Sequence, residues 1–128
     1  MKRNRKKMIL KEYKLTNLNE LFGYTRLDAN RTGLNVTLMA DSTRAYKIYG
    51  HMPLIFARNG YDKSIKEYIP FLIAPHSKIL DSTIDLNITY SDVFAIEIFI
   101  RENFRGLWDL ANEKIEDVEF IRTIVKVG

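Results

Sequence analysis

Between Val93 and Ala111 the apolar residues Val93, Ile96, Ile100, Phe104, Leu107 and Ala111 follow at intervals of 3, 4, 4, 3 and 4. That spacing lays a single stripe along a helix of about five turns. Glu97, Arg101, Arg105 and Asp109 fall on another face, with Glu97 ahead of Arg101 in the favourable i,i+4 order. The heptapeptide FAIEIFI alone would serve equally well as a strand, so the length of the stripe and the charge ladder decide for a helix. Thr89, with Asp92 as the acid of a capping box, or Ser91 supplies the N-cap. Gly106 inside this helix costs about 1 kcal/mol relative to alanine and marks a close approach or a kink.

A one-faced helix of this length needs a layer to cover it, and the residues before it alternate as strands do. In LNVTLMA (34–40), Leu34, Val36, Leu38 and Ala40 share one face and Asn35, Thr37 and Met39 the other. RAYKIYG (44–50) alternates again after the turn signal Asp41-Ser42-Thr43, which predicts an antiparallel hairpin. MPLIFA (52–57) and IPFLIA (69–74) are more uniformly apolar, with Pro53 at a strand start and Pro70 at a strand start or exposed edge. KILD (78–81) adds a short strand or bridge.

At the N-terminal side, Met8 to Leu15 is a short strand or part of a disordered arm. NLNELFG (17–23) reads as a short helix capped by Thr16, stopped by Gly23, with Leu18, Leu21 and Phe22 turned inward. Residues 28–33 are turn-rich and predict a loop. In EDVEFIRTIVKVG (116–128), Val118, Ile121 and Val125 make a helical stripe while the β-branched run favours a strand; the reading leans to a short second helix. Strands followed by helices, without alternation, define an α+β fold. The expected architecture is a small, mainly antiparallel sheet from about 34 to 80 packed against a long C-terminal helix. Residues 8–128 form one domain and residues 1–7 a disordered basic tail.

The opening MKRNRKK holds five of the cations. The 128 residues carry a net charge of +4, yet residues 1–7 alone supply +5, so residues 8–128 sum to −1. Within that body, residues 8–80 carry +4 and residues 81–128 carry −5. The tail is either a phosphate handle, with a salt-dependent affinity, or a solvated terminus. Downstream, Tyr46, Lys47, Tyr49, His51, Phe56, Arg58 and Tyr61 interleave rings with basic groups on the expected strands. An exposed sheet face of that kind stacks bases and holds phosphates. The candidate nucleic-acid site is therefore Lys2, Arg3, Arg5, Lys6 and Lys7 with Tyr46, Lys47, Tyr49, Arg58 and Tyr61. Against it stands the demand of a small core for its aromatics, and that demand favours rings packed under the helix.

Catalytic and cofactor chemistry finds little purchase. No cysteine is present, which excludes thiolate catalysis, disulfides and cysteine-ligated metals. His51 and His76, the two histidines, lack metal-pair spacing and read as exposed or locally hydrogen-bonded loop residues. The six glycines make neither GxGxxG nor GxxxxGK[ST]. The expectation is a non-enzymatic chain with no metal and no cofactor, serving as an interaction module for a protein partner, with nucleic acid as the alternative. No apolar run approaches the roughly 20 residues of a membrane span, and Met8-Ile9-Leu10 is too short for a signal h-region. A cytoplasmic protein with no membrane partner is expected.

Three stretches carry a resemblance. Arg31-Thr32-Gly33-Leu34-Asn35 opens a strand, IEIFIRENFRGLWDL (96–110) places Ile100 and Asn103 ahead of Leu107, and DVEFIRTIVKV (117–127) follows. Together they resemble short bacterial and phage-associated proteins of unknown function, in which TGLP often stands where this chain has Thr32-Gly33-Leu34-Asn35. The resemblance spans residues 31–127 and implies a bacterial or phage cytosolic origin and a helical C-terminus. It implies no activity.

Overall fold

Strand pairing is set by two apolar faces that the sheet turns in opposite directions. In the computed structural model, which describes residues 15, 17–58, 68–77, 79 and 88–127, four strands form an antiparallel meander in the order β1-β2-β3-β4. These are β1 (Tyr24–Leu27), β2 (Thr37–Asp41), β3 (Leu54–Arg58) and β4 (Ile69–Leu72). Leu27 pairs with Leu38, Leu38 with Ala57, Ala40 with Ile55, and Ile55 with Phe71. With a side-chain period of two, all of these point to one face, and each is fully buried. The alternation expected for 34–40 holds, since Leu34, Val36, Leu38 and Ala40 are buried and Asn35 is exposed.

That face is covered by α3 (Tyr90–Glu102) and α4 (Phe104–Ala111), with α5 (Asp117–Thr123) beyond them. Ile96, Phe99, Ile100, Leu107, Leu110, Ala111 and Phe120 close the main core over the sheet. Full burial of phenylalanines such as Phe71, Phe99 and Phe120 contributes about 1.5–3 kcal/mol each. Thr89 caps α3 through a capping box: its Oγ1 accepts from Asp92 N at 3.1 Å, and Thr89 N donates to Asp92 Oδ2 at 3.3 Å. Gly106 is a close approach, because a Cβ there would sit 3.0 Å from the Phe120 ring.

The stripe runs on, but the helix does not. Asn103 leaves helical geometry at φ −113°, ψ 17° and divides the expected five-turn helix into α3 and α4. Its buried side chain explains the break. Nδ2 donates to Phe99 O at 2.9 Å and Val125 O at 3.0 Å, and Oδ1 accepts from Val125 N at 2.8 Å. One asparagine thus joins the helix break to the segment after α5, which is helical to Thr123 and irregular through 124–127. Val127 N then donates to Thr32 O at 2.9 Å, beside Gly33.

The opposite face of the sheet holds a smaller core of Leu15, Leu21, Tyr24, Ala45, Leu54 and Phe56. It lies under a 3-10 helix, Leu18–Gly23, and a helix α2 of one turn and a half, Ala45–Tyr49. A further short helix, α1 (Ala29–Thr32), occupies the expected 28–33 loop. The strand predicted for 44–50 is α2 instead. The cause is Asp41, whose buried carboxylate accepts from Thr43 N, Ala45 N and Tyr46 N at 3.2, 3.0 and 2.9 Å. Those amides belong to a helix start, and a strand would point half of them away. The partners of β2 are therefore β1, a four-residue strand that the alternation did not show, and β3. Pro53 precedes β3 as expected, and Ile79 forms a single antiparallel bridge with Phe71. The tail 1–7 and Tyr61 lie outside the described residues.

Candidate functional site: a rigid apolar corner

The 3-10 helix and α2 run side by side in opposite directions and are fastened at both ends. At one end Gly23 O accepts from Ser42 N and Thr43 Oγ1, both at 3.0 Å. A Cβ on Gly23 would fall 2.3 Å from that hydroxyl oxygen and 3.1 Å from Ala45 Cβ, so the Thr43 and Ala45 side chains leave no room for one at residue 23. At the other end Glu20 Oε2 lies 2.5 Å from His51 Nε2 and 3.0 Å from the Tyr24 hydroxyl that donates to it. The His51 and Glu20 side chains are 4% and 3% exposed, so this is a buried clasp.

The proton count of the clasp follows from its geometry. His51 Nδ1 lies 2.6 Å from Met52 O, and a carbonyl only accepts, so Nδ1 carries a hydrogen. The contact between Nε2 and Oε2 then requires one more proton, held by the imidazole or by the carboxyl. The pair is neutral overall in either arrangement, which suits its burial. Nearby, burial pushes the Asp41 carboxyl above its usual pKa of 3.8, against the lowering effect of the Tyr46, Thr43 and Ala45 amides and of His51. Among the described residues no group of three His, Asp or Glu side chains is placed to hold a metal.

The outer surface of these two segments carries five apolar side chains. Phe22 is 87% exposed and Ile48 77%, with Leu18, Tyr49 and Met52 at 40–47%. The expectation that Leu18 and Phe22 turn inward with Leu21 fails at both residues, and for Phe22 the reason is geometrical. In an α-helix Phe22 would lie about 40° from Leu18, four residues before it, whereas at three residues per turn it is rotated about 120° from both Leu18 and Leu21. Leu21 is buried and Phe22 stands out.

The sequence-derived candidates are scattered relative to this corner. Tyr46, Lys47 and Tyr49 come together on α2, not on a strand. Tyr46 is half-buried and its hydroxyl donates to Asn112 Oδ1 at 2.6 Å, while Lys47 and Tyr49 are exposed. Arg58 is buried at the far end of β3, its guanidinium 5.8 Å from the Tyr68 ring centroid. Phe56 is fully buried between Tyr24 and Tyr68, at 5.6 and 6.5 Å between ring centroids. His51 does hydrogen-bond locally, but its partnership with Glu20 went unread because 31 residues separate the two. Lys2, Arg3, Arg5, Lys6, Lys7 and Tyr61 are not among the described residues.

Clefts lined by described residues lie elsewhere. One of about 220 Å³ is lined by His76, Ser77, Phe94, Glu97, Ile98 and Arg101. The Ser77 hydroxyl is taken by Leu72 O, and the i,i+4 pair Glu97–Arg101 is not closed into an ion pair. The other, about 400 Å³, joins Thr25, Ser42 and Thr43 to the acidic residues Glu113, Glu116 and Asp117. Among the described residues no helix is long and apolar enough to cross a membrane.

Comparison with known proteins returns no relatives. No protein-family description, no curated protein and no solved structure matches the chain.

Proposed function

We propose that this chain is a small cytosolic, non-enzymatic accessory protein that docks a protein partner on the corner made by the 3-10 helix and α2. The observation that carries the reading is the exposure of Leu18, Phe22, Ile48, Tyr49 and Met52 on two adjoining segments. Scattered surface hydrophobics are ordinary; a concentration of them marks an interaction surface. The energetics of the corner agree. A helix of five residues has no stability of its own. This one is held by Asp41 and by the Glu20–His51 clasp, so buried polar groups are committed to presenting an apolar exterior. A rigid surface loses little entropy on binding, and covering Phe22 and Ile48 would contribute about 1.5–3 kcal/mol each.

The test is a random-peptide display selection on the intact protein, with F22E/I48E as the counter-target. Both positions are exposed, so the variant keeps its fold. The reading expects peptides that compete with one another and lose the double variant. Binders indifferent to F22E/I48E would overturn it.

The charge of residues 1–7 favours a second reading, nucleic-acid binding through the tail. A salt titration on single- and double-stranded DNA and RNA, with the intact chain and one starting at Met8, tests it. Binding lost on truncation, with a log–log salt slope down to about −4 or −5, identifies a phosphate handle. Failure of both chains to bind at low salt removes the reading.

A further inference from the structure

Resting on the docking reading, we infer that the partner segment is acidic as well as apolar: an amphipathic stretch bearing Asp or Glu beside its apolar anchors.

Within segments 17–23 and 41–52 the exposed charges are cations and the acids are buried. Segments 17–23 and 42–52 contain one carboxylate, Glu20, which is buried on His51 and Tyr24. Asp41, adjoining them at the end of β2, is equally buried on the α2 amides. The exposed charged side chains are Arg44 and Lys47. Arg44 leans toward the end of α4, with Nε 3.4 Å from Asn112 O, and the acidic cleft of Glu113, Glu116 and Asp117 reaches Ser42 and Thr43 beside it. Lys47 stands next to Ile48 without an ion-pair or hydrogen-bond partner among the described residues. A docking segment therefore meets five apolar side chains and a free ammonium group, with no exposed carboxylate on these segments to repel its own.

Chain connectivity adds further positive charge. Leu15 is buried against the same small core as Leu21, Tyr24 and Ala45, at this corner. Lys7 is eight residues upstream of Leu15, at most about 29 Å of contour away. Covalent reach alone keeps the five cations of residues 1–7 within a few nanometres of the apolar patch. Such tethering raises their effective concentration at a partner already seated there, and opposite charge accelerates its arrival.

Composition separates a protein segment from the other anionic partners. Leu18, Ile48 and Met52 offer nothing for a nucleobase to stack on, so three of the five side chains would be wasted on nucleic acid. Insertion into an anionic bilayer would have to dehydrate Asn17, Asn19 and Thr43, all exposed between or beside the apolar groups. A helix laid across the corner leaves them at a wet rim.

The experiment uses synthetic helical peptides sharing one Leu/Ile/Phe face, with the polar face built from Glu, Lys or Gln. Each is titrated into the intact chain, the chain starting at Met8 and F22E/I48E, and read by backbone NMR shifts and fluorescence anisotropy. The Glu peptide is expected to move the signals of Phe22, Ile48, Tyr49 and Met52 and to bind about tenfold tighter than the Lys peptide at low salt. The gap narrows at about 0.5 M salt, and the chain starting at Met8 loses part of it. Equal affinity of Glu and Lys peptides at the corner overturns the acidic partner and leaves docking intact. Binding that F22E/I48E does not weaken, or no peptide moving the corner signals, overturns both. Tighter occupation of the corner by phosphatidylglycerol vesicles or by oligo-dT overturns the assignment of a protein segment.

Discussion

Gly33 is where one methyl group should do the most damage. Its φ of +79° lies in the left-handed region, which costs an L-residue roughly 1 kcal/mol. A Cβ there would also fall 2.2 Å from Val127 O, a backbone atom that cannot swing aside as a side chain would. Relief requires the 124–127 segment to move by about an ångström, which breaks the 2.9 Å bond from Val127 N to Thr32 O. That bond contributes about 0.5–1.5 kcal/mol and the half-buried Val127 a similar amount. Gly33→Ala is therefore expected to cost about 2–4 kcal/mol. Gly50 is the internal control, because at φ +73° it has nothing within 4 Å of its Cβ position. Gly50→Ala should cost about 1 kcal/mol. Urea denaturation followed by circular dichroism measures both. A third background, the chain ending at Val125, keeps the Asn103 bonds and removes the obstacle. In it the cost of Gly33→Ala should fall to that of Gly50→Ala. Equal costs for the two substitutions in the full chain, or an undiminished Gly33→Ala cost in the shortened one, would refute the assignment of the penalty to the Val127 contact.

Asn103→Ala removes three hydrogen bonds and strands both backbone groups of Val125; a loss of about 2–4 kcal/mol is expected, with hydrogen exchange at Val125 rising more than at Ile96. In the clasp, Glu20→Gln keeps a donor for His51 Nε2 and should cost under about 1.5 kcal/mol, whereas Glu20→Ala removes the Oε2 contact to Nε2 and should cost about 3; similar losses would contradict the shared proton. For Asp41 the sign follows from its raised pKa. Between pH 3.8 and the higher native value the folded chain holds more protons than the unfolded one. Stability should thus fall as pH rises through that window and then level off. Asp41→Asn removes this component, so the wild-type-minus-variant difference in urea midpoint should decline with rising pH from about 4; a rising difference would refute the burial argument.

Much of the fold is written in local pattern. The face shared by Leu34, Val36, Leu38 and Ala40, the Thr89–Asp92 capping box, Pro53 ahead of β3 and the close approach at Gly106 each depend on neighbours within a few residues. What escaped depends on residues far apart or on elements too short to show a period. Ala45, Lys47 and Tyr49 alternate as a strand would, yet Asp41, buried beneath them, holds the amides of a helix start. Asn103 looks like one more residue of a long helix until Val125 is brought beside it. The apolar corner was hidden for a related reason: Phe22 is inward on an α-helix and outward on a 3-10 turn, and sequence spacing does not distinguish the two at six residues. Tyr46, Lys47 and Tyr49 stand together on α2 and not on the face of a strand.

The margins of the sheet bear on how the protein behaves in a crowded solution. Among the described residues the meander has two outer strands, β1 and β4, and outer strands invite another chain to add itself edge to edge. Here β1 is only four residues long and carries Arg26, bound to Asp28 at 2.7 Å, on its exposed side. At the other margin Pro70 sits inside β4 with no amide hydrogen to give, and Phe71 is already bridged to Ile79. Both rims are poor templates for fibril growth. A chain that leaves Phe22 and Ile48 in water thereby offers a partner side chains at this corner, not sheet backbone.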